Sequence, residues 1–128
     1  MVWLPTNRKT EMTVYVTQNP MRRNTEQRLV HMFDLAPARH YGALEVLLPA
    51  GRMVDQGLAH VATTLRERLA DFTDDDYLLC LGDPVAIAMA SAVVAQVNAG
   101  RVPLLVWDKL ERRYTEVIAN TAPTGTPA

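Results

Sequence analysis

Residues 74–100, DDDYLLCLGDPVAIAMASAVVAQVNAG, decide the fold, because they read as a buried strand, a tight turn and a buried helix with each boundary marked. Tyr77 to Leu81 is a short uncharged apolar run, the pattern of a strand covered on both faces in a parallel sheet. Gly82 turns the chain. Asp83 and Pro84 then start a helix: the carboxylate can accept from free first-turn amides, and proline fits the first helical position, where its missing N–H has no partner. No charged residue stands between Pro84 and Gly100. Valines, Ile87 and Met89 are interleaved with alanines, so burial nearly all round is expected, with Leu79, Cys80, Ile87, Val94 and later Leu105 among the most buried positions. Gly100 closes the helix as a left-handed cap. The apolar part is too short to span a bilayer.

A strand, a glycine turn and a helix N-terminus can also bind an anion. Here the turn lacks both the GxGxxG spacing and the Lys-Ser/Thr of a P-loop, and Asp83 sets a negative charge where a phosphate would sit, so a plain helix cap is favoured.

A chain of 128 residues, 48% of them hydrophobic, suits one domain with a proper core. The formal net charge of −1 hides an asymmetry, since the segment ahead of residue 40 is basic and the remainder acidic. One cysteine, Cys80, excludes a disulfide framework, a paired redox motif and thiolate metal-ligand spacing, and a reducing compartment follows. Cys80 reads as a packed thiol rather than a nucleophile. No apolar stretch follows the N-terminal charges, so no signal peptide is expected.

In chain order, residues 1–12 read as a loose extension, in which Trp3 and Leu4 could pack on a neighbour, and residues 13–119 as the single α/β domain. Thr13 to Gln18 is the first strand, ended by Asn19-Pro20. The following MRRNTEQR reads as a solvated loop, with phosphate contact through Arg22, Arg23 and Arg28 as the functional alternative; it lacks the aromatic interleaving of single-strand binders. Leu29 to Leu35 adds an edge strand or packs over the sheet, and Asp34 with Pro37 predicts one helical turn to Tyr41, stopped by Gly42. His31 and His40 have no ligand or carboxylate partner at helical spacing, so they read as surface or half-buried histidines. Ala43 to Leu48 is the next strand, and a helix from Val54 repeats apolar residues at three and four through Leu58, Val61, Leu65, Leu69 and Phe72. Asp74 to Asp76 lack the glycine and distal glutamate of a calcium loop and read as a solvated turn. Val102 to Trp107 and Tyr114 to Ile118 form an antiparallel hairpin around DKLERR, with Pro103 placing the start of its first strand near an edge or bulge. Residues 120–128 have the composition of a disordered tail.

The predicted fold is therefore a Rossmann-like α/β domain: a mostly parallel four- to five-stranded sheet with flanking helices and a C-terminal antiparallel hairpin. The segments TVYVTQNP, DLAPARHYGALEVLLP, DFTDDDYLLCLGDPVAIAMASAVVA and GRVPLLVWDKLERRY resemble a set of small, functionally unassigned proteins encoded by tailed bacteriophages. The resemblance covers most of Met12 to Ile118, with eleven residues ahead of it. It implies a phage product working in the cytoplasm of an infected bacterium, and it brings no catalytic residues.

With no motif for nucleophilic, metal or phosphoryl chemistry, no catalytic residue, metal site or cofactor is predicted, and an enzyme is not expected. A noncatalytic accessory protein that binds a host or phage protein during host takeover is the first expectation, with a homodimer as a second mode of association. The alternative is a nucleotide or nucleic-acid binder at the carboxyl ends of the parallel strands, where Gln18, Asn19, Gly82 and Asp83 would converge beside Arg22 and Arg23. A hydrolase with Asp83 as base ranks last, since no partner for it can be named. The alanine-rich helix offers only Ser91, Gln96 and Asn98 as polar groups, so that helix or the hairpin around Trp107 is expected to contribute a partner or self-association surface.

Overall fold

The computed structural model describes residues 11–123. Most of the expected extension and the end of the expected tail, including Trp3 and Leu4, lie outside them. The main sheet has five strands: β1 (Thr13–Gln18), β4 (Ala43–Leu48), β5 (Tyr77–Leu79), β6 (Arg101–Asp108) and β7 (Arg113–Asn120), in the spatial order β4-β1-β5-β6-β7. β1, β4, β5 and β6 are parallel, and β7 returns antiparallel along β6 from Asp108↔Arg113 to Arg101↔Asn120. The predicted α/β class, the mostly parallel sheet and the C-terminal hairpin are all present.

β1 lies inside the sheet between β4 and β5, and all six of its residues are buried. Tyr15 looks to one face, where α1 (Leu58–Arg68) and α2 (Pro84–Val97) pack, and it joins a core with Leu47, Val61, Leu65, Leu78, Ala90 and Val94. Val14 and Val16 look to the other face and meet Leu79, Leu105 and Tyr114 under a roof of Leu35 and Ala38. That roof is the 3-10 turn Ala36–Tyr41, seeded by Pro37 and by Asp34 Oδ1 accepting from the Ala36 amide at 2.9 Å. Tyr41 ties it down by donating to the Tyr114 carbonyl at 3.0 Å. One face thus carries two α-helices and the other only a short turn, which leaves it thinly covered.

Several expectations need correction. The loop MRRNTEQR is instead half of a small antiparallel hairpin, β2 (Met21–Arg23) with β3 (Leu29–His31), separate from the main sheet. Its turn is built locally: Asn24 Oδ1 accepts from the Glu26 and Arg28 amides, and Gln27 sits at φ 65. The first helix begins at Leu58 rather than at Val54, because Gly57 at φ 86 breaks the chain after the short 3-10 turn Met53–Asp55, and Val54 and Leu58 are exposed. α2 is not buried all round. It packs through Ala86, Ala90, Val93 and Val94, while Pro84, Ala88, Ala92 and Gln96 face outward and Ile87 and Cys80 are only half-buried. A run without charge fixes no direction, so periodicity alone picks out no buried face. Pro103 lies in β6, an inner strand, yet the ladder between β5 and β6 holds a single registered pair, Leu78↔Leu104, so a missing amide there costs little.

The aspartate turn is structural. Asp76 is fully buried and accepts from the amides of Thr13 (2.9 Å) and Thr73 (2.8 Å). Asp74 receives both arms of Arg101 at 3.0 Å and the Asn98 amide at 2.8 Å, and the Arg101 guanidinium holds its carboxyl below the usual value of 3.8.

Candidate functional site

The strand order is that of a doubly wound sheet, in which a ligand crevice opens where the chain leaves one strand in opposite directions. Here the chain goes from β1 to β4 on one side and then crosses back to β5 on the other, so the crevice falls between the carboxyl ends of β1 and β5. Gln18, Gly82 and Asp83 meet there, as the alternative reading requires, and line a hollow of about 420 Å³ with Pro20, Met21, Met32, Phe33 and Arg52.

The polar atoms at its floor are already engaged. Gln18 is 2% exposed; its amide donates to the carbonyls of Pro49 (2.7 Å) and Gly51 (2.8 Å), and its oxygen accepts from the Asp83 amide at 2.6 Å. One side chain therefore laces the loop after β4 to the turn before α2. Gly82 makes room for it: φ is +99, and a Cβ at that position would lie 2.8 Å from Gln18 Cβ. Asp83 occupies the N-cap position of α2, but its carboxylate makes no cap bond and accepts instead from the Met53 amide at 2.9 Å. The expected cap geometry is thus replaced by a bond that anchors buried Met53. Asn19 Oδ1 is buried and has no hydrogen-bond partner among the described residues.

Arg22, Arg23 and Arg28 all lie exposed on the β2–β3 hairpin. Arg23 Nη1 donates to the Gln27 carbonyl at 2.7 Å and Arg28 lies 3.9 Å from Glu26, so two of the three serve the hairpin itself. Trp107 is elsewhere, on β6, 43% exposed and edge-on to Tyr114 with ring centroids 5.0 Å apart.

Trp107 belongs to a second hollow, a groove of about 740 Å³ on the thinly covered face. Its origin is a parting of strands. The buried Thr17 hydroxyl donates to the Leu81 carbonyl and accepts from the Leu81 amide at 2.7 Å, which holds residues 79–81 to β1 beyond the end of β5. β6 has no registered pair with β5 past Leu78↔Leu104, so the gap between the two ends is open. Leu79, Leu81, Leu105, Trp107 and Tyr114 form its walls, Met32 and Phe33 close one end, and Asp34 and Lys109 stand at the rim. Met32 and Phe33, 47% and 46% exposed, line both hollows. Cys80 also lines the groove, but burial pushes its thiol up, away from reactivity. Met32, Phe33 and Tyr114 were not singled out as site residues by sequence; the only signal was the apolar run from Leu29 to Leu35, followed by a turn that leaves two of its members outside the core.

His31 and His40 are exposed, and no group of three or more metal-ligating side chains occurs among the described residues. Nor is any helix among them long and apolar enough to cross a membrane.

Fold and hollows together define a small α/β protein with a mostly parallel sheet, whose switch-point floor is hydrogen-bonded by its own side chains and whose second groove is walled mainly by apolar side chains. The chain belongs to the family described as Phage Pam3 gp32-like protein, whose sequence model matches residues 12–121. It is a small phage-encoded protein, as its resemblance to such proteins implied. No curated protein and no solved structure matches it.

Proposed function

We propose that this phage protein is a noncatalytic accessory protein that binds a host or phage protein in the infected cell, gripping an apolar side chain of its partner in the groove between β5 and β6. The observation that carries this reading is the groove itself: about 740 Å³, walled by aliphatic and aromatic side chains, with Phe33 and Trp107 exposed at its mouth. Exposed aromatic residues around an apolar hollow are the usual anchors of protein–protein contacts. The hydrogen bonds that Gln18 and Asp83 already make argue against a nucleotide at the switch point, since a ligand there would have to replace bonds that hold two loops together. The nucleic-acid reading keeps one supporting observation, the exposed Arg22, Arg23 and Arg28 on the β2–β3 hairpin, but few cations without stacking rings bind weakly at physiological salt.

The test uses the full chain as bait in host lysate. A captured protein that is lost with Phe33→Asp and Trp107→Asp, both at exposed positions that leave the core intact, supports the proposal. Capture unaffected by those changes, or a thermal shift with nucleotides or short oligonucleotides that Gln18→Ala abolishes, overturns it.

A further inference from the structure

The outer edge of β7 is unpaired among the described residues. Which backbone groups it presents follows from the register. The Thr121 amide donates to the Gly100 carbonyl at 2.7 Å, and antiparallel alternation then turns Thr115, Val117 and Ala119 toward β6 and leaves the N–H and C=O groups of Tyr114, Glu116, Ile118 and Asn120 pointing outward. The opposite edge of the sheet is blunted: Arg68 donates to the Val46 carbonyl of β4 at 3.2 Å and lies 3.9 Å from Glu45. β7 is guarded only at its first end, where the Tyr41 hydroxyl donates to the Tyr114 carbonyl at 3.0 Å; among the described residues its outward groups at Glu116 and Ile118 carry no such contact. It runs for eight residues without proline or lysine, and Val117 and Ile118 are 43% and 67% exposed on its two faces.

We propose that β7 pairs with β7 of a second copy of this chain, antiparallel about a two-fold axis at Val117, so that one sheet runs through both copies. The choice of a second copy rests on self-complementarity. An axis at Glu116 would set two carboxylates directly opposite one another, and an axis at Ile118 would shorten the overlap. With the axis at Val117, Glu116 and Ile118 exchange both of their outward bonds and the Tyr114 amide meets the Asn120 carbonyl, with no like charges opposed, while the Tyr114 carbonyl keeps its bond from Tyr41. On the helix-bearing face Val117 lies against its own counterpart, beside Leu104 and exposed Val106. Such a contact is isologous and closes at two copies.

Sedimentation equilibrium of the full chain tests this. A concentration-dependent dimer is expected, and it should be lost in Ile118→Pro, which removes an outward amide and no bond to β6; if that variant unfolds, Val117→Lys, placing two ammonium groups opposite each other at an exposed position, reads the same contact. Under mild oxidation Val117→Cys should form a disulfide-linked dimer, while Thr115→Cys, whose counterpart lies about 13 Å away along the strand, should not. A monomer at every concentration up to about 1 mM, a dimer that survives both edge variants, or equal cross-linking from positions 115 and 117 overturns the proposal.

Discussion

Replacing Gln18 with alanine should destabilise the protein more than any other change of a polar side chain at the carboxyl ends of the strands. Three hydrogen bonds vanish, to the carbonyls of Pro49 and Gly51 and from the amide of Asp83. At about 1 kcal/mol each they sum to about 3 kcal/mol, and with some water reaching the exposed Ala50–Gly51 loop the expected cost is about 2–4 kcal/mol. That is a large fraction of the 5–15 kcal/mol typical of a domain. With a urea slope of about 2 kcal/mol/M, the unfolding midpoint should fall by about 1–2 M. Gln18→Glu adds a diagnostic. Its shape is conserved, but a carboxylate would face the Pro49 and Gly51 carbonyls, so its folded-state pKa should be raised above the ordinary value of about 4.3. A raised pKa means that the variant is best stabilised below about pH 4 and loses that stability as pH rises through the folded value. A Gln18→Ala midpoint within about 0.3 M of the parent, or a Gln18→Glu variant indifferent to pH, would refute the account of Gln18 as the lace of this end of the sheet.

Leu78→Ala, at a fully buried position between the helices and β1, should cost about 2–5 kcal/mol, whereas Ile87→Ala, half-buried and outside both core clusters, should cost about 1 kcal/mol; equal effects in thermal melts would show that α2 is rotated from its described face. Gly82→Ala should destabilise by more than about 1 kcal/mol, since it strains φ +99 and pushes on Gln18, and a neutral result in urea denaturation would contradict the contact. The lowered pKa of Asp74 gives stability that is complete above the ordinary value of 3.8 and is lost as pH falls through the lower folded value; Asp74→Asn should flatten the stability profile below pH 3.8, and an unchanged profile would exclude the Arg101 pair as its source. Tyr77, desolvated and donating to Glu116, should ionise at about 12, so ultraviolet titration of the wild type against Tyr77→Phe should show one phenol missing from that range rather than from the ordinary range near 10.

The parts of the fold legible in the sequence were those with local causes. β1 and β4 end where predicted because Asn19-Pro20 and Pro49 cannot continue a strand, and the 3-10 turn at Ala36 follows from Asp34 and Pro37. What escaped depended on neighbours distant in sequence. Asp83 looks like a cap in isolation, yet the Met53 amide thirty residues earlier takes its carboxylate. The meeting of Gln18, Gly82 and Asp83 was foreseeable from strand topology, but their mutual saturation was not, because a hydrogen bond between residues 18 and 83 leaves no spacing to read. Likewise the groove exists because Thr17 draws Leu81 toward β1, a consequence of one hydroxyl that no periodicity encodes.

The interior position of β1, between β4 and β5, has a consequence in time as well as in space. Thr13–Gln18 emerges from the ribosome before either of its neighbours, which are drawn from residues 43–48 and 77–79. At about 5–20 residues per second, the interval between synthesis of Gln18 and of Leu79 is about 3–12 s. Throughout it, a six-residue strand destined for full burial has at least one backbone edge without its partner, while the β6–β7 hairpin made later can close as soon as it appears. Translation in the infected cell therefore meets its hazard at the beginning of this domain, and a slowed ribosome between residues 18 and 79 should lower the soluble yield more than one slowed after residue 101.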